Sequence, residues 1–318
     1  MQNNKIFLRF IIFALLCMII VSTTSIMYMF PEIAKMPHEN EPFDNINKDG
    51  KSYELFIARY NEDLSWLNKS NYVNQFDKIH CYNKGNQLSL ESLQYASSHP
   101  SQIDFHTIPN VGRECHTYLT HIIENYNNLG DITVYVSGSC DGQYKWYKTL
   151  NTFKYAFNTK NSVFLCEFVD DDFSKISPFS ITEYKSSDNN NFNANSDKSL
   201  EKSSIYPFGE WYNTLFKDIP LKYYCLRGIF AVSREHIHNR PIDFYKSLLE
   251  FVNKSPNPEA AHYIERAYSV ICYPIPTECY YEIPAYIIQP YYPDGIIVSK
   301  NQALQWPFQP KESISKSN

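Results

Sequence analysis

Glycine is scarce in this chain, nine among 318 residues. No GxGxxG follows a strand-like run and no GxxxxGK[ST] loop occurs, so Rossmann dinucleotide binding and P-loop chemistry are disfavoured. A nucleotide-binding fold without a glycine-rich turn stays open. The chain also lacks a basic stretch, and its net charge is −5. Nucleic acid, which is held mainly through its phosphates, is not an expected partner. There is no CxxC, which argues against a structural zinc knuckle, and no GxSxG, the nucleophile elbow of α/β-hydrolases. His116 and His121 lie five apart and His236 and His238 two apart. Neither spacing sets two ligands on one helical face, which disfavours a zinc hydrolase.

What the chain does have begins with one long apolar run. Residues 10–30 contain no charged side chain. As a helix they would span about 31 Å, close to the roughly 30 Å of bilayer hydrocarbon. Lys5 and Arg9 precede the run, and Glu32 and Lys35 follow it. The positive-inside rule then keeps residues 1–9 cytoplasmic and sends the rest to the lumen. A cleaved signal peptide, with its apolar core at 10–21 and small residues at 22–25, is the competing reading. The second apolar burst at 26–30 favours the uncleaved anchor. Either way the main domain enters the secretory pathway, Golgi or ER. Asn68-Lys69-Ser70 is a glycosylation acceptor sequence, and Asn253-Lys254-Ser255 a poorer one before Pro256. Outside the anchor, which holds Cys17, seven cysteines remain, so an oxidising lumen predicts pairing with at least one left over. Cys81, Cys166 and Cys225 also fit buried thiols on strands.

Residues 31–51 read as a polar stem, 52–305 as one luminal domain and 306–318 as a tail. About 270 luminal residues suffice for a full core. Residues 55–58 predict a strand buried on both faces, with Glu62 or Asp63 starting a helix that carries Trp66. A second strand is expected at 78–82, a helix at 112–126, and further strands at 132–136, 163–168 and 223–232. Helices are expected at 243–252 and 258–271, the last with Asn257 as N-cap and Pro258 first. Residues 185–204 are rich in Ser, Asn, Asp and Lys and predict an exposed insertion. The proline- and tyrosine-rich segment after Ile271 predicts an irregular wrap. Strand–helix–strand alternation gives an α/β layer architecture, a mixed, mostly parallel sheet flanked by helices.

The segments IARYNED-SWL, PNVGRE-HTYL-HIIENY, GIFAVSREHI, RP-DFYKSLLEF and NPEAAHYIER, in that order over residues 53–275, resemble an uncharacterised family. It occurs in fungi, protists and large viruses and is labelled domain of unknown function 3431. The resemblance implies a glycosyltransferase-like domain of the nucleotide-sugar-binding A type. It implies a nucleotide sugar and a glycan or glycoconjugate acceptor as partners, and a divalent cation, Mn²⁺ or Mg²⁺, as cofactor.

Such an enzyme places its ligand at the carboxyl ends of the strands. Arg59, Asn61, Glu62 and Asp63 end the first strand and would meet the nucleotide; the bland alternative is a helix cap with a surface acid. Arg113 and Glu114 open the clearest helix, where free N–H groups and a fixed cation suit a diphosphate. Pairing with Arg234 or Glu235 would instead make them structural. Arg227, Arg234 and Glu235 lie at a strand-to-helix junction and would form an acceptor or phosphate wall. Glu265 would be the base for the acceptor hydroxyl, or else a salt bridge anchoring its helix. The metal position is poorly supplied. Ser137-Gly138-Ser139-Cys140-Asp141 follows the central strand where such enzymes carry Asp-x-Asp, and only Asp141 is acidic. Asp170 and Asp172, after the 163–168 strand, have the spacing and oxygen chemistry for Mg²⁺ or Mn²⁺. A rival function is an inactive glycan- or partner-binding module, favoured by the poor metal motif and by aromatics at 16% of residues.

Overall fold

The computed structural model describes residues 46–87, 102–142, 144–181, 200–284 and 287. The apolar run at 10–30, most of the stem, most of the 185–204 insertion and the tail lie outside these residues. Among the described residues no helix is long and apolar enough to cross a membrane.

The domain is built on five strands: β1 (Tyr53–Arg59), β2 (Lys78–Asn83), β3 (Ile103–Thr107), β4 (Ile132–Ser137) and β8 (Phe230–Ser233). Their order is β3-β2-β1-β4-β8. The first four run parallel, and β8 lies antiparallel on β4. β1 and β4 are buried on both faces, which is why each reads as a near-continuous apolar run. Phe56 and Ala58 face α1 (Arg113–Glu124) and the later helices α5 (Ile242–Glu250) and α6 (Glu259–Ile271), while Leu55 and Ile57 face α2 (Tyr144–Thr159). Phe56, Tyr118, Tyr135, Phe230 and Tyr268 form one aromatic core, and Tyr72, Phe76, Phe153 and Phe157 help form the other. The aromatic richness is thus spent mainly on core packing. The exposed large apolar side chains among the described residues are Phe105, Val169, Tyr206 and Tyr273, which form no aromatic platform.

Several expectations are corrected. The segment expected as a strand at 163–168 is two pieces, β5 (Phe164–Cys166) and β6 (Phe168–Val169), pairing outside the main sheet. The one expected at 223–232 is also split, into β7 (Tyr223–Tyr224) and β8, because Arg227 and Gly228 take left-handed φ values of 71° and 63°. Trp66 lies in a short 3₁₀ turn, Ser65–Asn68. The N-cap of α6 is Pro258, in an extended conformation, and not Asn257. In the proline-rich wrap, β9 (Tyr280–Glu282) pairs in parallel with β5. The sequence reading missed α2 and α3 (Phe208–Phe216), whose aromatic residues obscure the helical period. Cys166 and Cys225 are not thiols but a disulfide; Cys81, Cys115, Cys140, Cys272 and Cys279 are free and buried.

Candidate functional site

The strand order dictates where a ligand fits. From β1 the chain moves to one side through β2 and β3, then crosses to the other side at β4. The crevice beyond the carboxyl ends of β1 and β4 is the topological switch point. Arg59 to Asp63 leave β1 there, Lys84 leaves β2, and Ser137 to Asp141 leave β4.

The loop after β1 is held firmly. Arg59 is 4% exposed. Its Nε donates to Glu62 O at 2.9 Å, and its Nη1 donates to Asn83 Oδ1 at 2.6 Å and Asn86 O at 2.7 Å. Asn61 Oδ1 accepts from Asn86 N–H at 2.8 Å. Gly85 permits this packing, since a Cβ there would lie 1.9 Å from Tyr60 O. Arg59 and Asn61 therefore shape the rim. Glu62 Oε2 accepts from Tyr60 N–H at 2.6 Å and lies against Gly138, while Asp63 Oδ1 accepts from Ser65 N–H at 3.3 Å. Trp66 Nε1 donates to Gly138 O at 3.0 Å, joining the ends of β1 and β4.

Cations converge on this rim. Arg113 begins α1 with φ 52°, after Gly112 at φ 63°. A Cβ on Gly112 would lie 2.1 Å from Val252 O, so the turn needs glycine twice over. Arg113 Nε lies 3.8 Å from Glu114 Oε2. Across from them the turn before β8 packs on α1, with Tyr118 Oη donating to Gly228 O at 2.7 Å. Arg227 N–H donates to Glu265 Oε1 at 2.8 Å, so Glu265 on α6 braces the turn that carries Arg227. Lys145, on the first turn of α2, donates to Ser139 Oγ at 2.8 Å. Burial pulls its pKa down, the Arg227 charge pulls the same way, and Glu114 and Glu62 oppose. Lys84 donates to the carbonyls of Val111 and Arg113, and burial pulls it down to about 7 against the attraction of Glu114.

Thus Glu62, Glu114 and Arg227 gather around Lys145, with Arg113 beside Glu114 and Glu265 against the Arg227 turn, and Asp141 ends the turn after β4. Arg234 and Glu235, which open the short helix α4 (Arg234–Ile237), do not join them. Because β8 runs antiparallel, its end lies beside the start of β4, and Arg234 pairs there with Asp131 and with Leu129 O. Asp170 and Asp172 lie after β6, off the main sheet. Asp170 pairs with Lys175 at 2.7 Å, and Asp172 Oδ1 accepts from Ser174 N–H at 3.1 Å as a cap.

Sequence reasoning missed Lys84, Lys145 and the buried pair beneath them. Lys148 and Glu167 are both wholly buried, 2.9 Å apart. Lys148 also donates to Leu226 O at 2.6 Å, and Glu167 Oε2 accepts from Leu226 N–H at 2.8 Å, so the pair anchors the base of the Arg227 turn. Burial lowers the Lys148 pKa and raises that of Glu167, each against the attraction of its partner. The only sequence signal was YKWYK, two lysines three apart in an otherwise aromatic run.

No curated protein matches this chain. Among solved structures, glucosyl-3-phosphoglycerate synthase from Mycobacterium tuberculosis, in complex with Mn²⁺, UDP-glucose and phosphoglyceric acid, is similar at 11% identity with a TM-score of 0.30. The match covers 62% of this chain and 63% of that one, so this chain spans less than two thirds of that protein's length. Residues 55–287 match the family described as "Protein of unknown function (DUF3431)", and the chain belongs to that family.

Proposed function

We propose that this protein transfers a sugar from a nucleotide-sugar donor to a hydroxyl of a glycan or glycoconjugate, in the lumen of the secretory pathway behind an N-terminal anchor. The observation that carries this reading is the pair of arginines, Arg113 and Arg227, both held at positive φ on turns beside the switch-point crevice. Left-handed backbone costs a non-glycine residue of order 1–3 kcal/mol, and such residues concentrate at ligand sites. Together with Lys145 and Lys84 they supply cationic charge for a diphosphate. One acid, Asp141, follows β4, and it is the group placed to meet a Mn²⁺ or Mg²⁺ ion there. The departing charge therefore rests chiefly on the basic side chains, and the residues fit a metal-independent donor site better than an Asp-x-Asp site.

Tyr60, Glu62 and Asp63 border the nucleoside end. Glu265 takes the proton of the acceptor hydroxyl. The acceptor oxygen then bonds to the anomeric carbon, and the bond from that carbon to the phosphate oxygen breaks with its electron pair left on the nucleoside diphosphate. The second reading, a module that binds without chemistry, draws on the commitment of Asp170 and Asp172 to Lys175 and Ser174.

The test is thermal denaturation of the full chain with a panel of nucleotide sugars, with Mn²⁺ and with chelator, followed by a turnover assay on any donor that raises the melting temperature. A donor-specific rise that survives chelator is expected, with turnover lost in Arg113→Ala combined with Glu265→Gln. Turnover left intact in that double variant would sink the residue assignment. A folded chain that answers to no donor would favour the binding module.

A further inference from the structure

On the same sheet face as α1, but toward the amino ends of the strands, three potential ligands come from three elements. Glu54 lies on β1, His80 on β2 and His121 on α1, and their ligand atoms all lie within 4.8 Å of one another. His80 Nε2 stands 3.8 Å from Glu54 Oε1, and the His80 and His121 rings are 4.9 Å apart by centroid. Two ligands about 2.0–2.1 Å from one tetrahedral ion would be somewhat over 3 Å apart, so a small inward shift closes the site.

His121 is fully buried, and its Nε2 has no hydrogen-bond partner. Leaving a buried ring nitrogen unpaired costs about 1–3 kcal/mol unless something completes it. The other nitrogen, Nδ1, lies 3.2 Å from the Asn125 side-chain amide. Ligation through Nε2 places the ring proton on Nδ1; the Asn125 amide, which also donates to His121 O at 3.1 Å, offers that proton an oxygen only by giving up this bond. Glu54 is also oriented. Its Oε2 accepts from Thr133 Oγ1 at 3.4 Å, and Gly130 makes room, since a Cβ there would lie 2.7 Å from Glu54 Cγ. Such outer contacts fix ligands around a metal. Glu54 and His80 keep 15% and 14% side-chain exposure, so the group has an opening to solvent.

A second cluster shares His80 with Asp104 and His106. Asp104 is paired with Lys78 at 2.8 Å, and the first cluster has the fully buried ligand, so the first is the stronger candidate.

We infer that Glu54, His80 and His121 form a site for a divalent transition metal of the Zn²⁺ class. Two imidazoles and one carboxylate suit such an ion better than Mg²⁺ or Ca²⁺, which prefer oxygen throughout. The site would clamp α1 to β1 and β2, with a fourth coordination position open. It is separate from the crevice at the carboxyl ends of the strands and does not depend on what that crevice does.

The full chain, stripped by chelator, is titrated with Zn²⁺ alone by calorimetry and with Co²⁺ alone by absorption. The expected result is one equivalent bound, a raised melting temperature, and a Co²⁺ spectrum without the thiolate charge-transfer band that binding to free cysteines would give. Glu54→Gln and His80→Gln, at partly exposed positions, each weaken binding at least tenfold and remove the thermal shift. Asp170→Asn, just beyond the end of β6, changes neither. Should one variant fail to fold by circular dichroism, the other carries the test. Absence of stoichiometric binding to the folded wild type, a thiolate band, or binding that persists in both variants overturns the inference.

Discussion

Removing the charge of Lys148 is the sharpest probe of how the crevice is supported. Lys148→Met keeps the aliphatic stem and leaves Glu167 wholly buried with one partner, Leu226 N–H at 2.8 Å. Leu226 O loses the donor now 2.6 Å away. Breaking one side of a buried pair costs about 3–5 kcal/mol, because the surviving charge is uncompensated. Glu167→Gln strands the ammonium and should cost a similar amount. The double variant has no buried charge, and the Gln oxygen still accepts from Leu226 N–H while its amide N–H reaches toward Leu226 O. Its loss should fall to roughly 1–3 kcal/mol, one or two weakened hydrogen bonds. The coupling between the two sites should therefore be at least about 2 kcal/mol. Urea midpoints at matched m-values for the four proteins of the cycle measure it. Additive losses, or a Lys148→Met cost below about 1 kcal/mol, would refute the view that this pair holds the Leu226–Gly228 turn.

Lys84 gives a pH signature. Burial pulls its folded pKa down to about 7 from the ordinary lysine value of 10.5, so between those values the unfolded chain binds more protons and stability rises with pH. Lys84 contributes a slope of up to about 1.4 kcal/mol per pH unit, and that share should be lost in Lys84→Met when urea midpoints are compared at pH 7.5 and 9. If the proposed donor site is right, donor affinity should fall over the same window as the Lys84 ammonium is lost, and calorimetry at those two pH values reads it. Gly112→Ala must relieve both the positive φ and a contact 2.1 Å from Val252 O, and should lower stability by about 2 kcal/mol or more in thermal denaturation. Peptide mapping of the oxidised chain should recover Cys166 linked to Cys225, with the five other described cysteines modified only after unfolding. Replacing both linked cysteines by Ser should cost about 2–4 kcal/mol.

The sequence by itself determined the parts of the fold that local pattern encodes. The apolar runs at 55–58 and 132–136 became central strands because both of their faces are buried, and the three-and-four spacing of Tyr118, Leu119 and Ile122 became the core face of α1. Chain order also placed IARYNED at the carboxyl end of its strand, whereas PNVGRE reached the same edge through β3, a strand the sequence pattern had not marked. Only the tertiary structure decided which charges meet. The direction of β8 carried Arg234 and Glu235 to the far end of the sheet, and strand direction leaves no mark in residue spacing. Cys166 and Cys225, 59 residues apart, read as strand thiols until folding brought them into contact. The spacing of His116 and His121 within one helix was uninformative because the neighbours of His121 come from β1 and β2. Lys84, Lys145, Lys148 and Glu167 sit in runs with no motif, and burial, a property of the whole fold, is what sets their chemistry.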